Sequence, residues 1–496
     1  MKSLTLSGAG MTVETLDRAS HEGWHLSLDA EGLHRMARSH ALVERAITER
    51  TPVYGVTTGL GARATEVLDA EALTEFSIQT LRGRAHAIGP PMPCEAVRAG
   101  LIVRLNTMLT GHSAARPEVA QHIAGCLNAG LVPVVGSLGS IGAADLVLNA
   151  TIGLALIGEG EMYALDGTAG QSIDVMRSQG ITALKLAPRD GLALANHSCT
   201  VIGLAALAFS KAEKVFEAAQ TAAAMSMEAF RANTGPLDRE ILLLSPHDAH
   251  IAAGEGLRWR LAGGALTDPD QARRLQDPLS FRNVVQIHGT VRSALDRVLN
   301  CAEAEMNSPT DNPVALADAE KIMSCGAYFS SEITSVTEAL NRSFVPMAMT
   351  QLARVSKLLN PELSGLPSFL AKPNSASNGF APVMKVAEAL VAELAHAAQL
   401  TPIWPSVNAN GIEDCLTNSP ASVAALNKIT GHLSTLAAIE LIVACQAVEL
   451  RETSSKLGPF LGDVKTHIRD VSPPLDVDRP LAKEIEEVTK IILELD

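Results

Sequence analysis

Apolar residues recur at three- and four-residue spacing through long stretches of this chain, and nothing divides those stretches into separate pieces. Val97 to Asn106, Val383 to Leu400 and Leu433 to Leu450 carry the pattern, with alanine-rich faces that let helices approach closely. No Ser/Gly-rich or Pro-rich linker and no long charge run interrupts the 496 residues. Strand signals are confined to Leu4 to Leu6 and short pieces near Met162 to Leu165. The expected fold is all-α, a long-helix bundle with small loop-rich lobes. We expect a single unit over residues 1–496, loop-rich to about residue 200 and built mainly of long helices from 201 onward. Pro90-Pro91, Gly235-Pro236, Asn360-Pro361 and Lys372-Pro373 mark helix ends and loops.

A formal net charge of −14 argues against a nucleic-acid partner, because duplex binding draws its affinity from Lys and Arg on phosphates. The seven cysteines are scattered singly, with no pair at zinc spacing, so no metal is expected and a reducing cytoplasm suits the chain. Two uncharged stretches reach membrane length. Val119 to Ala144 is broken by Pro133 and several glycines, and Gly191 to Ser210 carries Asn196, His197, Ser198 and Thr200. Both read as buried segments of a soluble protein rather than membrane spans.

Aromatic residues make up only 3% of the chain, and there are three tyrosines. Tyr54 opens the glycine-rich stretch Tyr54-Gly55-Val56-Thr57-Thr58-Gly59-Leu60-Gly61, where small residues let the backbone bend and hold a phenol into a cavity. A tyrosine at an ordinary turn has the same local signature. The stretch contains no phosphate-cradle motif.

Further along come Gly136-Ser137-Leu138-Gly139, then Ser140-Ile141-Gly142, Asp145-Leu146 and Gly158-Glu159-Gly160. Asn196, the run Gln276 to Arg282, Asp311-Asn312-Pro313, Asn378-Gly379-Phe380 and Glu413-Asp414 follow in order. Together with the Tyr54 loop, these segments resemble the histidine and aromatic amino acid ammonia-lyases over almost the whole chain. That resemblance implies a homotetramer of long helices whose sites draw residues from more than one subunit. It also implies roles. Tyr54 matches the tyrosine that takes the β-proton of the substrate; a free phenol ionises near pH ~10, so a nearby cation or helix N-terminus must stabilise the anion. Arg282 matches the arginine that grips the substrate carboxylate, with Lys385 as a second candidate. Asn196 and Asn312 match amides near the amine end. Glu413 matches a glutamate that faces an imidazole, since a carboxylate accepts from an azole N–H and offers nothing to a benzene ring.

The departures from the family pattern are equally specific. An Ala-Ser-Gly triplet in those lyases cyclises to a methylidene-imidazolone, the glycine nitrogen attacking the alanine carbonyl and the serine hydroxyl leaving. This chain has Gly139-Ser140-Ile141-Gly142 at the corresponding place, and Ile141 has no leaving group. The shifted frame Gly139-Ser140-Ile141 would make a β-branched residue supply the attacking nitrogen. The expected imidazole-contacting histidine aligns with Arg84, with His86 close by, and an Asn-Phe-His run appears as Ala327-Tyr328-Phe329.

Without the prosthetic ring, ammonia is a poor leaving group. A quaternary ammonium is already charged to leave, so the resemblance implies a cofactor-free carbon–nitrogen lyase that eliminates trimethylamine from ergothioneine or a related imidazole betaine. Glu413 with Arg84 or His86 would contact the ring. Tyr328, Phe329 and Trp404 could face a trimethylammonium group, which cannot donate a hydrogen bond. Two alternatives stand beside this one: a histidine ammonia-lyase that cyclises a displaced triplet, and a non-catalytic binding scaffold.

Overall fold

A computed structural model describes residues 2–59, 70–373, 376–402, 404 and 408–494; Leu60 and Gly61, which end the glycine-rich stretch, lie outside the described residues. The fold is all-α. Helices Cys199–Phe230, Val284–Met306, Ser331–Leu359 and Ser419–Leu450 are the longest, and the described sheets have only two or three strands each. The periodic stretches fold as expected: Val97 to Asn106 lies within the helix Cys94–Leu109, and Val383 to Leu400 opens the helix Val383–Ala397. Pro90-Pro91 differs, because both residues sit in the exposed strand Ile88–Pro91, paired antiparallel with Gly136–Leu138. An edge strand tolerates proline, whose missing N–H removes no interior ladder bond.

The chain forms two compact units, each assembled from three stretches of sequence. The first comprises residues 1–210, 299–335 and 401–423. Its centre is the helix Cys94–Leu109, buried from Ala96 to the end. Glycine makes one crossing possible there: a Cβ on Gly203 would meet the Gly100 amide nitrogen at 2.5 Å. The Arg98 guanidinium is buried in the same core and donates to the carbonyls of Ala19, Trp24 and Leu127, so its donors stay satisfied away from water.

The second unit comprises residues 211–298, 336–400 and 424–496. Phe230 and Phe281 stack at 4.4 Å in its core. Arg354 and Glu440, both fully buried, form a two-pronged ion pair, and Ser226 donates to the same carboxylate at 2.7 Å. Two helical stretches, Asp190–Phe230 and Ser419–Leu450, are apolar and long enough to cross a membrane, but 89% and 83% of their most apolar windows are buried inside the protein.

Candidate functional site

A cavity of about 420 Å³ opens in the first unit. Its polar groups come from six places distant in sequence, around Tyr54, Arg84, Asn196, Asn312, Tyr328 and Glu413, and residues 143–146 supply an apolar wall.

Tyr54 is delivered by a tight turn. The amides of Val56, Thr57 and Thr58 all converge on the Val53 carbonyl, and Gly55 takes φ +62°. The Thr57 hydroxyl locks the turn, donating to the Thr51 carbonyl at 2.6 Å and accepting from the Val53 amide at 2.8 Å. A left-handed residue directly after the tyrosine is what the glycine supplies. Arg84 arrives just past the end of the helix Ala70–Arg82, with one guanidinium nitrogen on the Thr80 carbonyl at 3.2 Å. Burial works against its charge, while neighbouring Tyr54 and Glu413 favour it; the net direction is downward from the ordinary arginine value. Among the described lining residues it is the one cationic side chain. His86 is exposed and is not among the lining residues.

Asn196 ends the short helix Asp190–Ala195 and donates to the Asn312 carbonyl at 2.6 Å; the Asn312 side chain accepts from the Cys325 amide at 2.9 Å. Behind them lies a buried charge network. Arg104 and Asp311 pair through two 2.8 Å bonds with essentially no solvent exposure, and Arg189 lies 3.6 Å from the same carboxylate. Asp311 therefore pins the backbone next to Asn312.

Tyr328 and Phe329 follow in the loop before Ser331–Leu359. Phe329 bridges antiparallel to Ala143, and the Tyr328 carbonyl accepts from the Ala144 amide at 3.2 Å and from the Ser198 hydroxyl. Burial, then Tyr54, Glu413 and Cys325, push the Tyr328 phenol above its ordinary value. Glu413 enters from a separate segment through the bridge Asn408↔Glu413.

Ala143 and Ala144, with Leu146 and Leu192, make the apolar wall. The sequence reading centred this loop on Gly139, Ser140, Ile141 and Gly142, but the part that faces the cavity begins one residue later. Those four residues form a folded-back turn that leads into Asp145. The Ile141 carbonyl accepts from the amides of Thr417 and Asn418, and the Thr417 hydroxyl donates to the Gly142 carbonyl at 3.1 Å. Only glycine fits at 142, where φ is +78° and a Cβ would lie 1.9 Å from the Thr417 hydroxyl oxygen. The Ser140 hydroxyl donates to Asp145 at 2.5 Å and accepts from the Gly142 amide at 3.1 Å. Asp145 is 1% exposed and also accepts from the Val201 amide at 2.9 Å, in the first turn of Cys199–Phe230. Burial pushes its carboxyl up to about 6, against the pull of those two hydrogen bonds. Asn149, fully buried, ties the Ala144, Ala195 and His197 carbonyls together.

Of the residues read from sequence, the cavity gathers Tyr54, Arg84, Asn196, Asn312, Tyr328, Phe329 and Glu413. Trp404 is 59% exposed and does not line it. Arg282 and Lys385 belong to the second unit, where Arg282 donates to Gln276 at 2.7 Å and Lys385 is exposed on Val383–Ala397. Residues that sequence reasoning missed are Ala143, Ala144, Ala409, Ile412 and Cys415. Asp414 and Leu192 sat inside matched segments without being singled out.

A helical scaffold that sets two phenols, a guanidinium, carboxylates and two carboxamides around one small cavity is an enzyme scaffold for a small polar molecule. Residues 11–470 match the aromatic amino acid lyase family. Histidine ammonia-lyase of Symbiobacterium thermophilum is 32% identical over 489 residues, covering 98% of this chain and 96% of the relative. Among solved structures, ergothionase from Treponema denticola, in complex with desmethyl-ergothioneine sulfonic acid, superposes with a TM-score of 0.95 at 26% identity, covering 100% of this chain and 99% of that one. Histidine ammonia-lyase from Trypanosoma cruzi gives 0.92 at 28% identity, covering 100% and 94%. The chain belongs to the aromatic amino acid lyase family and is a carbon–nitrogen lyase.

Proposed function

We propose that this lyase works without the methylidene-imidazolone group and eliminates trimethylamine from ergothioneine or a related imidazole betaine. The observation that carries this reading is the chemistry of the cavity wall. Ring closure needs a central residue with a hydroxyl to lose, yet the wall residues Ala143 and Ala144 have none. Ser140, the one hydroxyl between Gly139 and Asp145, is committed to Asp145 and to the Gly142 amide, and the residue after it is β-branched Ile141. These atoms do not fit a precursor of the ring, so no step is routed through it.

In the proposed reaction Tyr54, as phenolate, removes the β-proton. The C–H electrons form the new carbon–carbon double bond, and the C–N bond breaks with its pair leaving on neutral trimethylamine. The quaternary nitrogen supplies the charge that an electrophile would otherwise have to create. Glu413 and Arg84 would hold the ring, Tyr328 and Phe329 the methylated ammonium face, and Arg282 or Lys385 of a neighbouring subunit the carboxylate. Asn196 and Asn312 would border the amine end. The working form is proposed to be a cytoplasmic homotetramer.

Incubation of the purified protein with ergothioneine, trimethylhistidine and histidine tests the reading: trimethylamine and an absorbing olefin from the betaines, with no ammonia from histidine, is the expected result. Ammonia from histidine with ergothioneine untouched would overturn it. The 30–33% identity to several histidine ammonia-lyases over nearly the full length favours that activity as the second reading. Intact-mass measurement separates the two, because cyclisation lowers the mass by two waters and an unmodified chain keeps its full mass. Binding of all three compounds without turnover of any would instead leave a scaffold.

A further inference from the structure

The second unit draws arginines from separate stretches of sequence to one place. Arg231 follows the helix Cys199–Phe230, Arg451 follows the helix Ser419–Leu450, and Arg273 and Arg274 lie a few residues before Pro278. Arg273 and Arg451 converge on one oxygen, the Ser364 carbonyl at the end of the short helix Pro361–Ser364. Arg273 also donates to the Leu363 carbonyl at 3.1 Å, and Arg274 to the Glu362 carbonyl at 3.2 Å. Arg231 donates through Nε to the Gln271 carbonyl at 2.7 Å, while its own carbonyl accepts from the Arg273 amide at 3.0 Å. Gly365, at φ +68°, makes room for this gathering: a Cβ there would lie 2.7 Å from Arg273 Nη2.

Carbonyls at a helix end need donors, but neutral donors would serve them as well. Capping also leaves much of each guanidinium unused. Both Nη atoms of Arg231, Nη2 of Arg273 and Nη1 of Arg451 have no hydrogen-bond partner among the described residues, and none of the three arginines has a carboxylate at ion-pair distance there. Asp277, the one acid that Arg273 feels, is engaged by the Asn233 amide. All three side chains are half-buried, so water reaches them without fully screening them from one another. Burial, then Arg273 and Arg231, push Arg451 down to about 10. Like charges are thus held together by the backbone in a chain whose formal net charge is −14.

We propose that Arg231, Arg273 and Arg451 form a binding site for a doubly charged oxyanion of the phosphate type, built from residues other than those around Tyr54. A planar guanidinium presents paired N–H donors that match the oxygens of such an ion. A dianion offsets two of the three charges, whereas chloride has neither the charge nor the oxygen geometry. Binding relieves the repulsion and so stabilises the folded protein by mass action.

Calorimetric titration of the full chain with inorganic phosphate, and with sulfate, tests the site, with thermal midpoints read in parallel at constant ionic strength set by sodium chloride. Saturable binding of both ions, with a rise in midpoint that chloride does not reproduce, is the expected result. Arg231→Gln should weaken phosphate binding about tenfold or more, and it spares the capping of Ser364, so the fold does not depend on it. Arg451→Gln should weaken binding by a similar factor. Glycerol phosphate titrated alongside tells the free ion from a phosphorylated metabolite by which of the two binds more tightly. Equal midpoint shifts from phosphate and chloride would reduce the effect to charge screening and overturn the proposal. Phosphate affinity unchanged in Arg231→Gln but lost in Arg84→Gln would place the ion in the Tyr54 cavity and overturn it as well. So would a change of oligomeric state on adding phosphate, read by size exclusion, because carboxylates of a second copy would then be what the arginines hold.

Discussion

The two walls of the cavity are built in opposite ways. Ala143 to Asp145 is backed by buried groups: Asn149 gathers three carbonyls, Asp145 caps a long helix, and Thr417 and Asn418 clamp the preceding turn. Facing it, Asn408 to Ile412 is exposed throughout, with Ala409 and Asn410 both at positive φ and the single bridge to Glu413 as its described backbone pairing outside the local turn. The braced wall carries no reactive group. The recognition chemistry proposed above would sit on Glu413, at the end of the exposed segment, and on the turn that delivers Tyr54. Rigid backing is what an enzyme needs where a substrate must be held against a base; under the proposed cofactor-free reaction the braced wall would serve shape alone.

The largest effect should come from the base itself. Tyr54→Phe is expected to lower kcat about 10³-fold for the betaine, with substrate binding changed far less. Steady-state kinetics with single-turnover binding checks this, and a variant retaining a tenth of the activity would remove Tyr54 from the reaction.

Next in size is a pH effect on the braced wall. The Asp145 carboxyl lies at about 6 in the folded protein against 3.8 for an ordinary aspartate. The fold therefore binds this proton more tightly than the unfolded chain does. Its contribution to stability is fully present below pH about 4 and is lost as pH rises through about 6, by roughly 3 kcal/mol in all. Asp145→Asn should flatten that decline while keeping only one of the two acceptor oxygens, since Ser140 donates to Oδ1 and the Val201 amide to Oδ2. Denaturant unfolding at a series of pH values gives the difference, and identical slopes for the two proteins would contradict it.

On the exposed segment, Glu413→Gln should reduce kcat/KM for the imidazole betaine by about 10- to 100-fold, the size of one hydrogen bond to a charged group. The same change should leave the thermal midpoint within about a degree, since nothing buried depends on it. A loss of stability comparable to that from Asp145 variants would make the two walls equivalent and end the comparison.

How much of this was legible in the sequence follows the same division. Helices with sustained periodicity, such as Cys94–Leu109, were readable because a long apolar face needs no tertiary information. Tyr54, Asn196, Asn312 and Glu413 were readable as residues of recognisable segments. Which residues of this loop face the cavity was not, because the turn before them is held by Thr417, 275 positions away. Nor was the choice between Arg84 and His86, which depends on how the chain leaves a helix end: the Ala85 amide still bonds to the Leu81 carbonyl, whereas the His86 amide closes a tight turn on Arg84. Arg282 and Lys385 were named together with Tyr54, and they fall in the other compact unit.

The smallest effect is also the one that reads the braced wall most directly. Ala144 sits at φ +67° and is almost fully buried, while its neighbour Ala143 has no positive φ and is half-buried. A left-handed conformation costs an L-residue roughly 1–2 kcal/mol, and glycine does not incur that penalty. Replacing alanine with glycine also loosens the unfolded chain by about 0.5–1 kcal/mol and removes a methyl worth about 0.8 kcal/mol when buried. At Ala144 these terms nearly cancel, so Ala144→Gly should leave stability within about 0.5 kcal/mol of the parent. At Ala143 nothing offsets the loss, and Ala143→Gly should destabilise by about 1 kcal/mol. Chemical denaturation of the two variants side by side measures the difference. Equal losses at both positions would mean that Ala144 stores no strain, and that the wall tolerates alanine there for a reason other than the bracing around it.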